Sequence, residues 1–289
     1  MDRNPRLCLN LSNDGSRVIE YNNDGRQKES CSLGTLYHGG EKLSTEIKTT
    51  QKVLDKWYEK VCTPEFIPHD PVKFPRLYKK REDIEIAAFL SAVIAWGRRD
   101  LILRSAEKML KIMENAPYSF IKKGGHEKLK DRNIHRTFFE TDLKYFCRGF
   151  EHCYAKYGNL ENLFAPADDV WEGFSLFREE MAKANRGRYS KHISNPGLPG
   201  KNGSACKRFN LALRWLVRKG PVDLGLWKKI IPAGLYIPLD VHVARTARKL
   251  GLLTRNSNDK KAVLELTENL RAYCPDDPVK YDFALFGMD

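Results

Sequence analysis

Lys207 is the residue whose type and position could do chemistry, and Asp240, thirty-three residues further on, is an acid placed at the start of another predicted helix. Lys207 lies in the first turn of an apolar series, Ala205, Phe209, Ala212, Leu213 and Leu216, whose 3/4 spacing predicts a helix with Ser204 as N-cap. The positive end of that helix and the adjacent Arg208 both disfavour an ammonium and favour a nucleophilic free amine, the requirement of Schiff-base chemistry. The plain alternative is a solvated lysine in a basic patch, since Arg214 and Arg218 follow on the same helix. Asp240 stands in IPLDVHVARTARKLGLL, after Pro238 and at the start of a predicted helix that turns Val243, Ala247 and Leu250 inward. Its plain alternative is a helix cap.

The surrounding charge suggests the partner. The chain carries a net charge of +13, and residues 201–255 hold twelve Lys/Arg against two acids, Asp223 and Asp240. Such clustering attracts polyanions, of which phosphate backbones are the commonest in a cytoplasm. A merely solvated basic face is the competing reading.

The elements that must position these residues read as helices. In DIEIAAFLSAVIAWGRRD, the apolar positions Ile86, Phe89, Leu90, Val93 and Ile94 predict a buried helix stopping near Gly97, followed by an amphipathic helix from Leu101 to Met113. Val53, Trp57 and Val61 predict a helix before the Pro-rich link of Pro64, Pro68, Pro71 and Pro75. Further helical patterns cover 139–156, 169–184, 204–218, 222–230, 240–250 and 259–272, and period-2 strands of useful length are missing. The expected fold is therefore all-α, with 43–289 as a single domain and 1–42 as a disordered or extended tail. Arg186 to Gly203 reads as a long basic, glycine-rich loop.

Composition bounds the class. Hydrophobic residues make up 42% and charged residues 30%, enough for a core and too polar for a membrane protein. The opening residues show neither a secretory nor a good transit signal, so a cytoplasmic, monomeric protein without membrane attachment is expected. Seven scattered cysteines without a C-x-x-C pair suggest reduced thiols. No metal and no cofactor is expected.

The stretch P-x-D-V-H-V-A-R-x-A-R-K-L-G-L around Asp240 resembles the Asp-bearing helix start of the helix-hairpin-helix DNA glycosylases, including the endonuclease III type. IAAFLSAVIAWGRRDLILRSAEKML is similar to that superfamily's early buried helix, polar turn and following helix, which help to form the base pocket. The long interval from Lys207 to Asp240 looks nearest to the archaeal 8-oxoguanine glycosylase type, which favours Lys207 over Lys201. Over residues 45–289 the chain also closely resembles an uncharacterised bacterial family, domain of unknown function 2400. Two departures stand out. The hairpin L-P-G-V-G is only faintly echoed by GLPGKNG at 197–203, and the C-terminal region offers Cys274 alone toward an iron–sulfur cluster.

The resemblance implies a helical, DNA-glycosylase-like fold with a central cleft, acting on damaged duplex DNA whose target base is turned out of the stack. Lys207 would attack the sugar C1′ and form an imine, with Asp240 stabilising charge and moving protons. Trp96 would stack beside the extruded base, unless it is a core residue. Arg98, Arg99, Arg208, Arg214, Arg245 and Arg248 would contact nucleic acid, and His242 would add a polar contact. The rival is a non-catalytic nucleic-acid-binding module that keeps the fold, for which a Lys207 to Asp240 separation much beyond ~8 Å would be the mark. A protein–protein adaptor with its basic face on an acidic partner is a third possibility.

Overall fold

The computed structural model describes residues 48–167, 169–197 and 201–289. The chain divides between Thr49 and Thr50, and the second unit, Thr50–Asp289, holds the helical body and the candidate site. The tail expected at 1–42 lies outside the described residues.

The fold is mostly helical. Helix α1 covers residues 48–61, and 3-10 turns through the Pro-rich link lead to α2 (Arg81–Val93) and α3 (Arg99–Ile112). Then come α4 (Pro117–Lys122), a small antiparallel hairpin of β1 (Asn133–His135) and β2 (Phe138–Phe139), and α5 (Glu140–Tyr157). The remainder is α6 (Leu160–Phe164), α7 (Val170–Ala184), α8 (Lys207–Val217), α9 (Val241–Lys249), α10 (Lys260–Arg271) and α11 (Tyr281–Gly287). The hairpin, α4, α6 and α11 are additions to the elements read from the sequence. Among the described residues, no helix is long and apolar enough to cross a membrane.

α2 is the axis of the core. Every residue from Asp83 to Val93 is buried, because the helix is apolar nearly all round and must be covered on all sides. It packs against α8, while α5 packs against α7 and α9 against α11. Phe89 of α2 meets Phe150, Phe164, Phe177 and Trp227 in one aromatic cluster.

One acid inside this core is fully satisfied. The Glu85 carboxylate accepts from Arg81 Nε at 3.0 Å, Tyr154 Oη at 2.8 Å, Leu160 N at 3.1 Å and Trp227 Nε1 at 2.8 Å. This network explains why 222–230 is not the expected helix. Trp227 is drawn into the core, its amide donates to Leu216 O, and the Lys229 amide donates to the Glu161 carboxylate at 2.6 Å. Pro221 and Gly225 permit that path, since Gly225 sits at φ +60° where a Cβ would press on Lys219 at 2.8 Å.

The basic loop after α7 is tied down rather than free where it is described. Trp171 Nε1 donates to Pro196 O at 2.8 Å and Ser204 N to Asn195 O at 2.9 Å. Part of the GLPGKNG echo, residues 198–200, lies outside the described residues.

Candidate active-site cleft

Three chain segments bring the chemistry together. α2 ends under Ala95 and Trp96, α8 begins at Lys207, and α9 begins after Asp240. They meet at a cleft of about 740 Å³, whose lining includes Lys207, Asp240, Asp70, Arg214 and Asp282. Trp96, Phe66, Phe283 and Phe286 supply aromatic walls.

Lys207 is the first residue of α8, but Ser204 is not its cap. The N-cap is Cys206, a buried residue in the left-handed region at φ 46°, with no side-chain bond to the helix end. Ser204 instead accepts from the Cys206 amide and pairs across to Asp259. Non-glycine residues seldom adopt this conformation, and it turns the chain sharply enough to aim Lys207 inward.

The two candidates are in direct contact. Lys207 Nζ lies 3.2 Å from Asp240 Oδ2 and donates to Ala95 O, also at 3.2 Å. Asp240 divides its oxygens: Oδ1 caps α9 by accepting from His242 N at 2.9 Å and Val243 N at 3.0 Å, leaving Oδ2 for the lysine. Cap and ion pair are thus the same side chain. In the fold, Arg208 is engaged by His192 O at 3.0 Å and lies over Trp96, while two acceptors face the amine. Lys201 is exposed and outside the cleft lining.

Beneath this pair is an ionic floor that sequence reasoning missed. Arg214 is buried, bonded to Asp282, 3.3 Å from Asp223 and 4.1 Å over the ring of Phe283. Burial pushes the Asp282 carboxyl up to about 6, against the lowering pull of Arg214, and the nearby Asp240 adds to the rise. Burial likewise raises Asp70, opposed by the Val72 amide and by Arg214 and Arg99. The signal for Asp282 was available in YDFALFG, an acid embedded in an apolar run, but its partners are remote in sequence.

The predicted nucleic-acid contacts divide. Trp96, Arg99, Arg214 and His242 line the cleft; Arg98, Arg208, Arg245 and Arg248 do not. Trp96 is half-buried, with its ring against His135. Arg99 lies 5.0 Å over Phe286. Arg214 has no charge to spare for a phosphate, because two buried carboxylates already surround it. Arg98 is chelated by Asp100 at 3.1 and 3.0 Å. Arg245 and His242 share the Asp289 carboxylate, 2.6 Å from Arg245 Nε and 2.7 Å from His242 Nδ1. Arg248 holds the carbonyls of Arg255 and Asn256. The charge excess of 201–255 is therefore offset in part in space by Asp259, Asp277, Asp282 and Asp289, all beyond that window.

A family model described as "Protein of unknown function (DUF2400)" matches residues 70–289, a span containing the whole floor of the cleft. No curated protein and no solved structure matches the chain.

Proposed function

The chain belongs to the DUF2400 family, and from that premise we propose that it is a DNA base-excision glycosylase with abasic-site lyase activity. The observation that carries this reading is the 3.2 Å contact between Lys207 and Asp240 at an aromatic-walled cleft. Cooperating nucleophile and base must come within hydrogen-bond reach, or nearly so.

The chemistry assigned to these residues is compact. Lys207 Nζ gives a proton to Asp240 and attacks C1′ of the extruded nucleotide, whose base departs with the electrons of the glycosidic bond. Nζ then loses its second proton, the sugar ring opens as C1′–O4′ breaks with its electron pair going to O4′, which takes up a proton, and Nζ keeps one hydrogen in a protonated imine. Removal of a C2′ proton expels the 3′ phosphate by β-elimination. The walls of Trp96, Phe66 and Phe283 suit a flat base turned out of the stack.

The test is covalent. The full chain and a Lys207→Ala variant are incubated with abasic and lesion-bearing duplexes in borohydride and run on a denaturing gel. An adduct formed by the wild type and absent from the variant supports the proposal. No adduct on any duplex, with salt-dependent DNA binding retained, moves the reading to a non-catalytic binding module.

A further inference from the structure

Beside the cleft, Trp96 carries two guanidinium groups. Arg136 lies 4.7 Å and Arg208 5.7 Å from the centre of its ring. Neither arginine has a carboxylate within ion-pair distance among the described residues, in contrast to Arg98, Arg214, Arg218, Arg245 and Arg255. Two like charges sharing one indole repel each other, and an aromatic face offsets this only in part.

The backbone is shaped around this arrangement. Arg136 adopts φ 49°, in the left-handed region, at the turn of the β1–β2 hairpin. Gly97 lies at φ +98°, and a Cβ there would meet Arg136 Nη1 at 2.6 Å, so the glycine leaves the space the guanidinium uses. His135 fixes the indole from behind: its Nε2 lies 2.9 Å from Trp96 O, which can only accept, and its Nδ1 therefore accepts from Ser105 Oγ at 2.9 Å. Burial lowers the His135 pKa, opposed by the bond to Trp96 O and aided by both arginines. Trp96 Nε1 is buried and has no hydrogen-bond partner among the described residues. Burial also lowers the Arg208 pKa, with no acid among the described residues to relieve it.

We propose that Arg136 and Arg208, stacked on Trp96, form a clamp for a backbone phosphodiester flanking the nucleotide held in the cleft. Trp96 belongs both to this stack and to the cleft wall, so an anion gripped here is adjacent to whatever the cleft holds. The planar guanidinium suits bidentate phosphate contacts, and the ring keeps each fork oriented. The clamp rests on the nucleic-acid reading above and is independent of whether Lys207 is catalytic.

The test is the salt dependence of binding to a fluorescent abasic-site duplex, measured by anisotropy with the full chain. Removing one arginine–phosphate interaction lowers the slope of log K against log salt by about 0.9. Arg136→Gln and Arg208→Gln should each show that decrease, the double variant about 1.8, and Arg136→Lys should retain most of the slope. Arg136 is exposed, so its variant carries the test even if Arg208→Gln, which also loses the bond to His192 O, folds poorly. A folded Arg136→Gln protein with the wild-type slope overturns the clamp alone. A wild type that binds no DNA overturns both the clamp and the proposed function, whereas a slope shift without a borohydride adduct keeps the clamp and removes only the lyase.

Discussion

Replacing Asp240 separates a cap from a catalyst, because its two oxygens face different partners. In Asp240→Asn the amide oxygen can still accept from the His242 and Val243 amides, while the carboxylate that meets Lys207 is gone. That ion pair is partly exposed, 30% on the lysine side and 19% on the aspartate side, so screening limits its worth to about 0–1 kcal/mol. Asp240→Ala also loses the cap and should cost a further ~1 kcal/mol, or about 2–4 °C in Tm for a domain of this size. Activity should follow a different order. Loss of the proton acceptor should slow borohydride-trapped adduct formation by about 10²–10⁴ in both variants, although only the alanine protein is appreciably less stable. The assay pairs thermal melts with single-turnover trapping on one duplex. An Asp240→Asn protein that traps at the wild-type rate would refute the reasoning and reduce Asp240 to a cap.

Three more perturbations have expected outcomes. Asp282 titrates at about 6 when folded and about 3.9 when unfolded, so the folded chain binds a proton that the unfolded chain releases in that window. Its contribution is complete below about pH 4 and falls by about 3 kcal/mol as pH rises through 6; the wild-type minus Asp282→Asn stability difference, by urea melts, should decline over that range, and a rise would contradict it. Arg214→Met strands Asp223 and Asp282 without their cation and should destabilise by ~3–5 kcal/mol, which a midpoint shift in chemical denaturation would reveal. Trp227→Phe removes one donor from buried Glu85 and should cost ~1–3 kcal/mol with Lys207 trapping unchanged in the folded fraction; a loss below 0.5 kcal/mol (roughly the noise of a surface substitution) would count against the network.

Much of the helical framework was legible because long amphipathic segments announce themselves: α2, α3, α5, α7, α9 and α10 fall close to the expected ranges. The unread parts depend on contacts remote in sequence. The 222–230 segment has helical spacing, yet Trp227 and the following amides are worth more bonded to Glu85 and Glu161 than in a helix of their own. Of the candidate site, Lys207 and Asp240 were legible from a helix start, a cap position and a family likeness. The Ser204 cap was displaced by Cys206, and Asp282, marked in the sequence only as an acid within an apolar run, finds its partner Arg214 far along the chain. Arg214, expected from the sequence as a nucleic-acid contact, is paired with Asp282, sixty-eight positions away, an acid that charge counted along a window cannot see.

The four-way coordination of Glu85 also governs how the molecule can come apart. Arg81, Tyr154, Leu160 and Trp227 belong to α2, α5, α6 and the segment after α8, and releasing any of them leaves a carboxylate short of a partner in an apolar interior. Such a state lies on the order of several kcal/mol higher, so partial openings at this junction are suppressed and unfolding becomes concerted across it. Amide protons of Leu160, Trp227 and Lys229 therefore share one slow hydrogen-exchange class. Because α8 packs on α2, the helix that carries Lys207 is braced by the element at the centre of this junction.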